Sequence, residues 1–301
     1  MKTRFSARLA VFASLSIALA LPAFARGPET SKFKEEFHQT YPLAAGGRVE
    51  LSNINGAVHI TAWDQNQVKV DAVKYANSQE RLNEAQIKVS ADAGSVSVKT
   101  QYPHHDMTFN NDDDDNPAGV EYTLMVPRSA RLDKIETVNG SLDLTGVTGE
   151  VRAETVNGHM TARGLAGRTH LETVNGRMEA QFDRLDSSSI DLSSVNGSMR
   201  VTLPSNANAN IEASTIHGGV ENDFGMPVDS HWFSHTLHSQ LGSGGPHIKL
   251  ENVNGRIQIL RADGSQATSS VQNLDDSHHS SKSGKDDDDD DDDDNETRSD
   301  P

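Results

Sequence analysis

Glu136-Thr137-Val138-Asn139-Gly140 returns as Glu154-Thr155-Val156-Asn157-Gly158 and again as Glu172-Thr173-Val174-Asn175-Gly176. A fourth copy reads Ser193-Ser194-Val195-Asn196-Gly197. Looser ones stand at Asn53-Ile54-Asn55-Gly56, Thr215-Ile216-His217-Gly218 and Asn252-Val253-Asn254-Gly255. From Gly140 the turn glycine recurs at 158, 176, 197 and 218, that is, after 18, 18, 21 and 21 residues. A fixed period of that size belongs to repeat architectures.

Counted from its glycine, a copy is apolar or small at −7, −5 and −3, as at Ile190, Leu192 and Ser194. Beyond the glycine the apolar set moves to +2 and +4: Leu142 and Leu144, Met160 and Ala162, Met178 and Ala180, Met199 and Val201. Period-two alternation describes strands with one buried face, and the change of parity places a turn at Asn-Gly. Glycine supplies the positive φ expected of such a turn, and Asn tolerates it.

Two all-β folds fit. Asn-Gly is a strong hairpin signal, which allows an antiparallel meander or sandwich. The rival is a β-solenoid of 18–21-residue coils stacked in parallel. In a meander, equivalent strands are not neighbours, so nothing favours one side chain at one offset. In a solenoid, Thr lies over Thr and Asn over Asn, and the amides bond along the stack. The near-verbatim repetition favours the solenoid. Its turn ladder comprises Asn55, Gly56, Asn139, Gly140, Asn157, Gly158, Asn175, Gly176, Asn196, Gly197, His217, Gly218, Asn254 and Gly255. His217 stands where the other copies carry Asn, a structural variation.

Outward offsets carry charge. Glu136, Glu154, Glu172 and Glu251 stand at −4, and Lys134, Arg152 and His170 at −6. An acidic column beside a basic one relieves the repulsion of stacked like charges. Adjacent coils about 4.8 Å apart would bring carboxylates near the separation used by retaining glycosidases. Catalysis would need one carboxyl held protonated in an apolar setting, and outer-face glutamates beside cations lack it.

Residues 1–25 read as an export signal: Lys2, Arg4 and Arg8 precede the apolar run Leu9–Leu21, and Ala23-Phe24-Ala25 is a cleavage pattern. That run is too short for a permanent membrane span. The chain has no Cys, so disulfides and a lipidated Cys are excluded. Residues 26–263 form the repeat domain. From 264 to 301 Ser, Asp, His and Lys dominate, with nine consecutive aspartates at Asp286–Asp294, a composition that cannot bury a core. The formal charge is −17, and loss of Lys2, Arg4 and Arg8 takes it to −17 − 3 = −20, which speaks against nucleic acid and anionic lipid as partners.

Before the regular copies, strands are expected at 48–51, 57–62, 67–73, 87–91, 95–100 and 120–126, with a helical turn between Asn77 and Gln86. Ala93-Gly94-Ser95-Val96-Ser97-Val98 reads as a worn copy of the turn, its valines at +2 and +4. His231, His235 and His238 have the spacing of one helical face and are candidate transition-metal ligands. The neighbouring Trp232, Phe233 and Leu237 fit a hydrophobic flap with surface histidines equally well. Asp112, Asp113, Asp114 and Asp115 are candidates for loose Ca²⁺ binding, though without the Gly and closing Glu of an EF-hand loop. No cofactor is otherwise expected. Gly-x-Ser-x-Gly, phosphate-loop and dinucleotide patterns do not occur.

Together, Asn-Ile-Asn-Gly at 53–56, Val126-Pro127 before the first regular copy, the serial Val-Asn-Gly turns and the closing run Gly242–Gly255 resemble the "putative adhesin" β-strand-repeat family. That family is a domain of unknown function related to the Toastrack domains of bacterial envelope-stress proteins. The resemblance covers Phe33 to Leu260. It implies a right-handed single-stranded β-helix, an exported location (periplasm, cell surface or secreted), and non-enzymatic adhesion, binding or scaffolding. An envelope protein or a surface glycan is the expected partner. Envelope-stress signalling and polysaccharide cleavage stand as alternatives, and the family brings no catalytic residues to this chain.

Overall fold

The computed structural model describes residues 31–103, 118–186, 188–232, 234–264 and 272–273. The export segment, Asp112–Asp115 and the Asp-rich run at 286–294 lie outside them.

Each copy of the repeat forms one coil. Residues before Asn-Gly make a strand in one sheet, those after it make a strand in a second, and the next copy lies alongside in parallel. Thus Val151–Asn157 leads through Gly158 into Met160–Leu165, and Thr169–Asn175 leads through Gly176 into Met178–Phe182. The register is residue on equivalent residue: Glu154 beside Glu172, Thr155 beside Thr173, Asn157 beside Asn175, Met160 beside Met178. The fold is therefore the solenoid; the hairpin alternative fails because Asn-Gly joins two sheets, not two paired neighbours.

The two sheets face each other across a filled interior. Val151, Ala153, Leu171 and Leu192 from the pre-turn sheet meet Met160, Ala162, Met178 and Met199 from the post-turn sheet, all fully buried. Burying each large apolar side chain contributes roughly 1.5–3 kcal/mol.

The turn glycines correct one expectation. Gly56, Gly176, Gly197 and Gly255 take a positive φ, of 120°, 158°, 151° and 145°, whereas Gly140, Gly158 and Gly218 do not. What all seven share is close approach. A Cβ built on Gly158 would lie 2.0 Å from the carbonyl oxygen of Gly140, and one on Gly176 1.9 Å from that of Gly158. Backbone bonds run straight through these turns, with Gly140 N donating to Asn157 O at 3.0 Å and Gly158 N to Asn175 O at 3.0 Å. Glycine is present because the coils touch there through bare backbone.

Spatial order departs from chain order at both ends. Naming coils by their turn glycine, the stack runs Gly56, Gly140, Gly158, Gly176, Gly197, Gly255, Gly218. The last copy thus inserts between the Gly197 and Gly218 coils, with Ile190 opposite Ile248 and Ile211 opposite Ile248 on its other side. At the opposite end Ser95–Gln101 and Gly119–Pro127 add one parallel strand to each sheet outside the Gly56 coil, although they follow it in sequence. Simple serial stacking is not what forms.

Antiparallel strands close the ends. Gln67–Ala76 pairs with Gly119–Pro127, Phe33–Pro42 with Gln67–Ala76, and Gln86–Ala91 with Ser95–Gln101. The last pair corrects another expectation. Ala93-Gly94 is the tip of this hairpin, with Asp92 N donating to Ser95 O at 2.8 Å, and Val96 and Val98 occupy the pre-turn sheet beside Val49 and Leu51. The helix spans Gln79–Glu84, and Ser78 caps it by accepting from Arg81 N at 3.2 Å. Across the other end lies His235–Leu241, antiparallel to Ala209–His217.

Candidate functional site

The repeated tetrapeptide puts each of its letters in a separate column along one edge of the stack. Thr at −3 points inward, and in three coils its hydroxyl donates to the glycine carbonyl of the adjoining coil: Thr137 to Gly56 O at 3.3 Å, Thr155 to Gly140 O at 3.3 Å, Thr215 to Gly255 O at 3.0 Å. The hydroxyls of Thr173 and Ser194 are buried without a partner. Asn at −1 forms an amide ladder. Asn139 Nδ2 donates to Asn55 Oδ1 at 2.9 Å, Asn157 to Asn139 at 2.9 Å, Asn175 to Asn157 at 2.9 Å, Asn196 to Asn175 at 3.0 Å, and Asn254 to Asn196 at 2.8 Å. His217, in register with Asn254, occupies the outermost place. Glycine at the fourth position allows the backbone contact.

Only the −2 letter has no fold-building partner. Val138, Val156 and Val195 are 38–39 % exposed and Val174 between them is half-buried, with Ile54, Val253 and Ile216 beyond along the same edge. A β-branched side chain suits a strand end, but Thr would serve that need as well. An apolar column held in solvent beside an amide ladder is a feature that sequence periodicity alone passed over, since −2 has the parity of a polar position.

On the outer face of the pre-turn sheet the charged columns form ion pairs along each strand. Lys134 Nζ meets Glu136 at 3.0 Å, Arg152 Nη2 meets Glu154 at 2.9 Å, and Lys249 Nζ meets Glu251 at 2.9 Å. Coils in between break the pattern with His170 and Asp191 in the cation column. On the post-turn face, Glu179 lies among Arg163, Arg177 and Arg200 at 3.6, 3.8 and 3.6 Å. His59 stands between Asp143, at 3.0 Å, and Glu121, at 3.7 Å. Its hydrogen bond to Asp143 lifts the imidazole above its ordinary range, and the same bond holds Asp143 below the usual carboxylate range.

The helical face expected for His231, His235 and His238 does not form. His235–Leu241 is a strand, so His235 and His238, three apart, fall on opposite faces. His235 shares the face of buried Leu237 and Ser239, whereas His238 faces Glu212 at 3.7 Å. The second imidazole at Glu212 is His247, at 3.5 Å, which no local spacing would have linked to it. His231 and Trp232 are exposed, Trp232 by 95 %. Asp112, Asp113, Asp114 and Asp115 lie outside the described residues.

Among the described residues, no helix is long and apolar enough to cross a membrane. The sequence matches the Toastrack DUF4097 family over residues 43–260, and the chain belongs to that family. No curated protein matches it. Similar solved structures include a "putative cell adhesion protein" from Clostridium sporogenes ATCC 15579, with 14 % identity, TM-score 0.43, and coverage of 75 % of this chain and 100 % of that one. A "putative adhesin" from Bacteroides fragilis NCTC 9343 has 8 % identity, TM-score 0.26, and coverage of 75 % and 97 %. Another from Parabacteroides merdae ATCC 43184 has 7 % identity, TM-score 0.33, and coverage of 75 % and 96 %. Likenesses this distant carry no argument about function.

Proposed function

We propose that this Toastrack-family chain is an exported, non-enzymatic module that binds or scaffolds at the bacterial cell envelope, through the edge where valines flank the asparagine ladder. The observation that carries the reading is the −2 column. Val138, Val156, Val195 and Val253 remain exposed, with half-buried Val174 between Val156 and Val195, at a position where the fold requires no apolar side chain. Exposed apolar side chains gathered along one edge mark an interaction site more often than a structural need. The ladder beside it supplies amides whose second N–H and second lone pair remain for a ligand. An envelope protein or a surface glycan is the partner class, and the export-type N-terminus supports the location.

Cleavage of polysaccharide is the weaker reading. Glu136, Glu154 and Glu251 each lie against a cation on a solvated face, at 3.0, 2.9 and 2.9 Å, whereas glycosidic cleavage requires a protonated carboxylic acid in an apolar setting.

Envelope extracts and glycan arrays, probed with the chain from residue 26 and with the V138S/V156S/V195S variant, test the proposal. The wild-type chain is expected to retain a partner that the triple variant, equally folded by circular dichroism, loses. Retention of the partner by the variant, or capture only through residues 264–301, overturns it.

A further inference from the structure

Between Arg152 and Lys249 the cation column on the pre-turn face is interrupted. Arg152, His170, Asp191 and Lys249 lie side by side in four successive coils. Where Lys134, Arg152 and Lys249 each accompany a glutamate two residues on, the Gly176 coil offers an imidazole and the Gly197 coil a carboxylate. Ligand atoms of Glu154, His170 and Glu172 consequently converge to within 4.8 Å of one another. His170 Nε2 is 3.9 Å from Glu172, and its Nδ1 is 3.6 Å from Asp191. With His170 neutral, Glu154, Glu172 and Asp191 give −3 and Arg152 gives +1, leaving −2; Lys249 and Glu251, paired at 2.9 Å, cancel. The Lys134, Arg152 and Lys249 coils balance their charges within the coil. The His170 and Asp191 coils between them do not, and Glu50 and Glu212 continue the column as anions at its two ends.

We propose that Glu154, His170 and Glu172 form a surface site for a divalent transition metal of the Zn²⁺ class. One imidazole with two carboxylates suits a borderline cation, and three protein ligands leave a fourth tetrahedral position to water. Bond lengths of about 2.0–2.2 Å bring tetrahedral ligand atoms roughly 3.4 Å apart, so from separations of up to 4.8 Å these side chains must close by up to about 1.4 Å. They are free to do so: Glu154, His170 and Glu172 have 35 %, 29 % and 47 % of their side-chain surface in solvent. Arg152 binds Glu154 only through Oε1, at 2.9 and 3.1 Å, which leaves Oε2 to the metal. Nε2 is the ligating nitrogen, and Asp191 faces Nδ1–H, the arrangement by which a carboxylate fixes a metal-bound imidazole. The dication offsets the −2 left by Arg152, Glu154, Glu172 and Asp191. The site is remote from His231, His235 and His238, and its ligands meet only because coils 18 residues apart stack in register.

The test is a titration of the chain from residue 26 with ZnCl₂, read by the ring signals of ¹⁵N-labelled histidines and by calorimetry. His170 should shift within the first equivalent. H170K should weaken that equivalent more than tenfold without loss of thermal stability, because Lys134 and Lys249 already occupy this column. D191N should weaken it about tenfold. H231A/H235A/H238A should leave it intact, and CaCl₂ at the same concentration should not move His170. An unmoved His170 ring, wild-type binding by H170K, loss of the first equivalent in the triple alanine variant, or an equal response to Ca²⁺ overturns the assignment.

Discussion

In the middle of the stack, from Gly140 to Gly197, neighbours in sequence are neighbours in space; at both ends they are not. The contrast shows what the repeat encodes. Asn254 lies on Asn196 at 2.8 Å, although the Gly218 coil comes between them in the chain. The copy that can extend the amide ladder takes the inner place, and Thr215-Ile216-His217-Gly218, whose imidazole cannot continue it in the same geometry, takes the outer one. At the other end Asn55 receives the bond from Asn139 at 2.9 Å, and the strands Ser95–Gln101 and Gly119–Pro127 flank its coil. Likeness of side chains sets adjacency here more than order along the chain does. The permutation also keeps the first and last regular copies away from the sheet edges, where the short strand Val220–Asn222 and antiparallel caps limit open pairing.

The largest effect that would break this comparison is a truncation. A chain ending at Gly245 loses the inner Gly255 coil and leaves Gly197 and Gly218 coils with no common neighbour, so cooperative thermal unfolding should disappear. Serial stacking would instead predict the modest loss of one end coil.

A smaller effect separates middle from end at single glycines. Gly158→Ala drives a Cβ to 2.0 Å from a backbone oxygen and should cost about 3 kcal/mol or more, lowering Tm by roughly 6–12 °C. At Gly219 a Cβ meets nothing within 4 Å, and Gly219→Ala should change stability by less than about 0.5 kcal/mol. Urea denaturation of both variants reads the difference.

The ladder comes next. Asn157→Ala removes a bond given and a bond received, at 2.9 Å each, with an expected loss of about 1–3 kcal/mol; His217→Ala, at the terminal position, should lose under about 0.5 kcal/mol.

The smallest effect depends on pH. The folded His59 titrates above its ordinary 6.5, so its contribution is complete below that value and fades as pH rises through the folded value. Asp143 titrates below 3.8, so its contribution holds above that pH and is lost as acid protonates the folded carboxyl. The pair should therefore stabilise most between about pH 4 and 6.5, weakly because both side chains are partly solvated, and His59→Gln should flatten the profile.

Much of the middle was legible in the residues. The shift of apolar offsets across Asn-Gly located the two strands of a coil, and verbatim repetition indicated parallel stacking. The ends were not legible, because an 18–21-residue period fixes the length of a coil without naming its neighbour. The glycine was readable, its cause less so, since a turn and a backbone contact both ask for the smallest residue. At His235 and His238 a spacing of three suggested a helix, while the alternation of Leu237, Ser239 and Leu241 already marked a strand. The cluster of Glu154, His170 and Glu172 needed inter-coil register, which no window of sequence contains.

A pair of cysteines introduced into this cysteine-free chain tests the permuted stack most directly. Ser193 and Glu251 are parallel neighbours, and Glu251 separates Ser193 from Ser214. Parallel strands about 4.8 Å apart lie within disulfide reach, and two spacings do not. S193C/E251C should oxidise to an intramolecular disulfide in the folded protein while S193C/S214C stays reduced; the opposite outcome would show coils stacked in chain order and contradict the account.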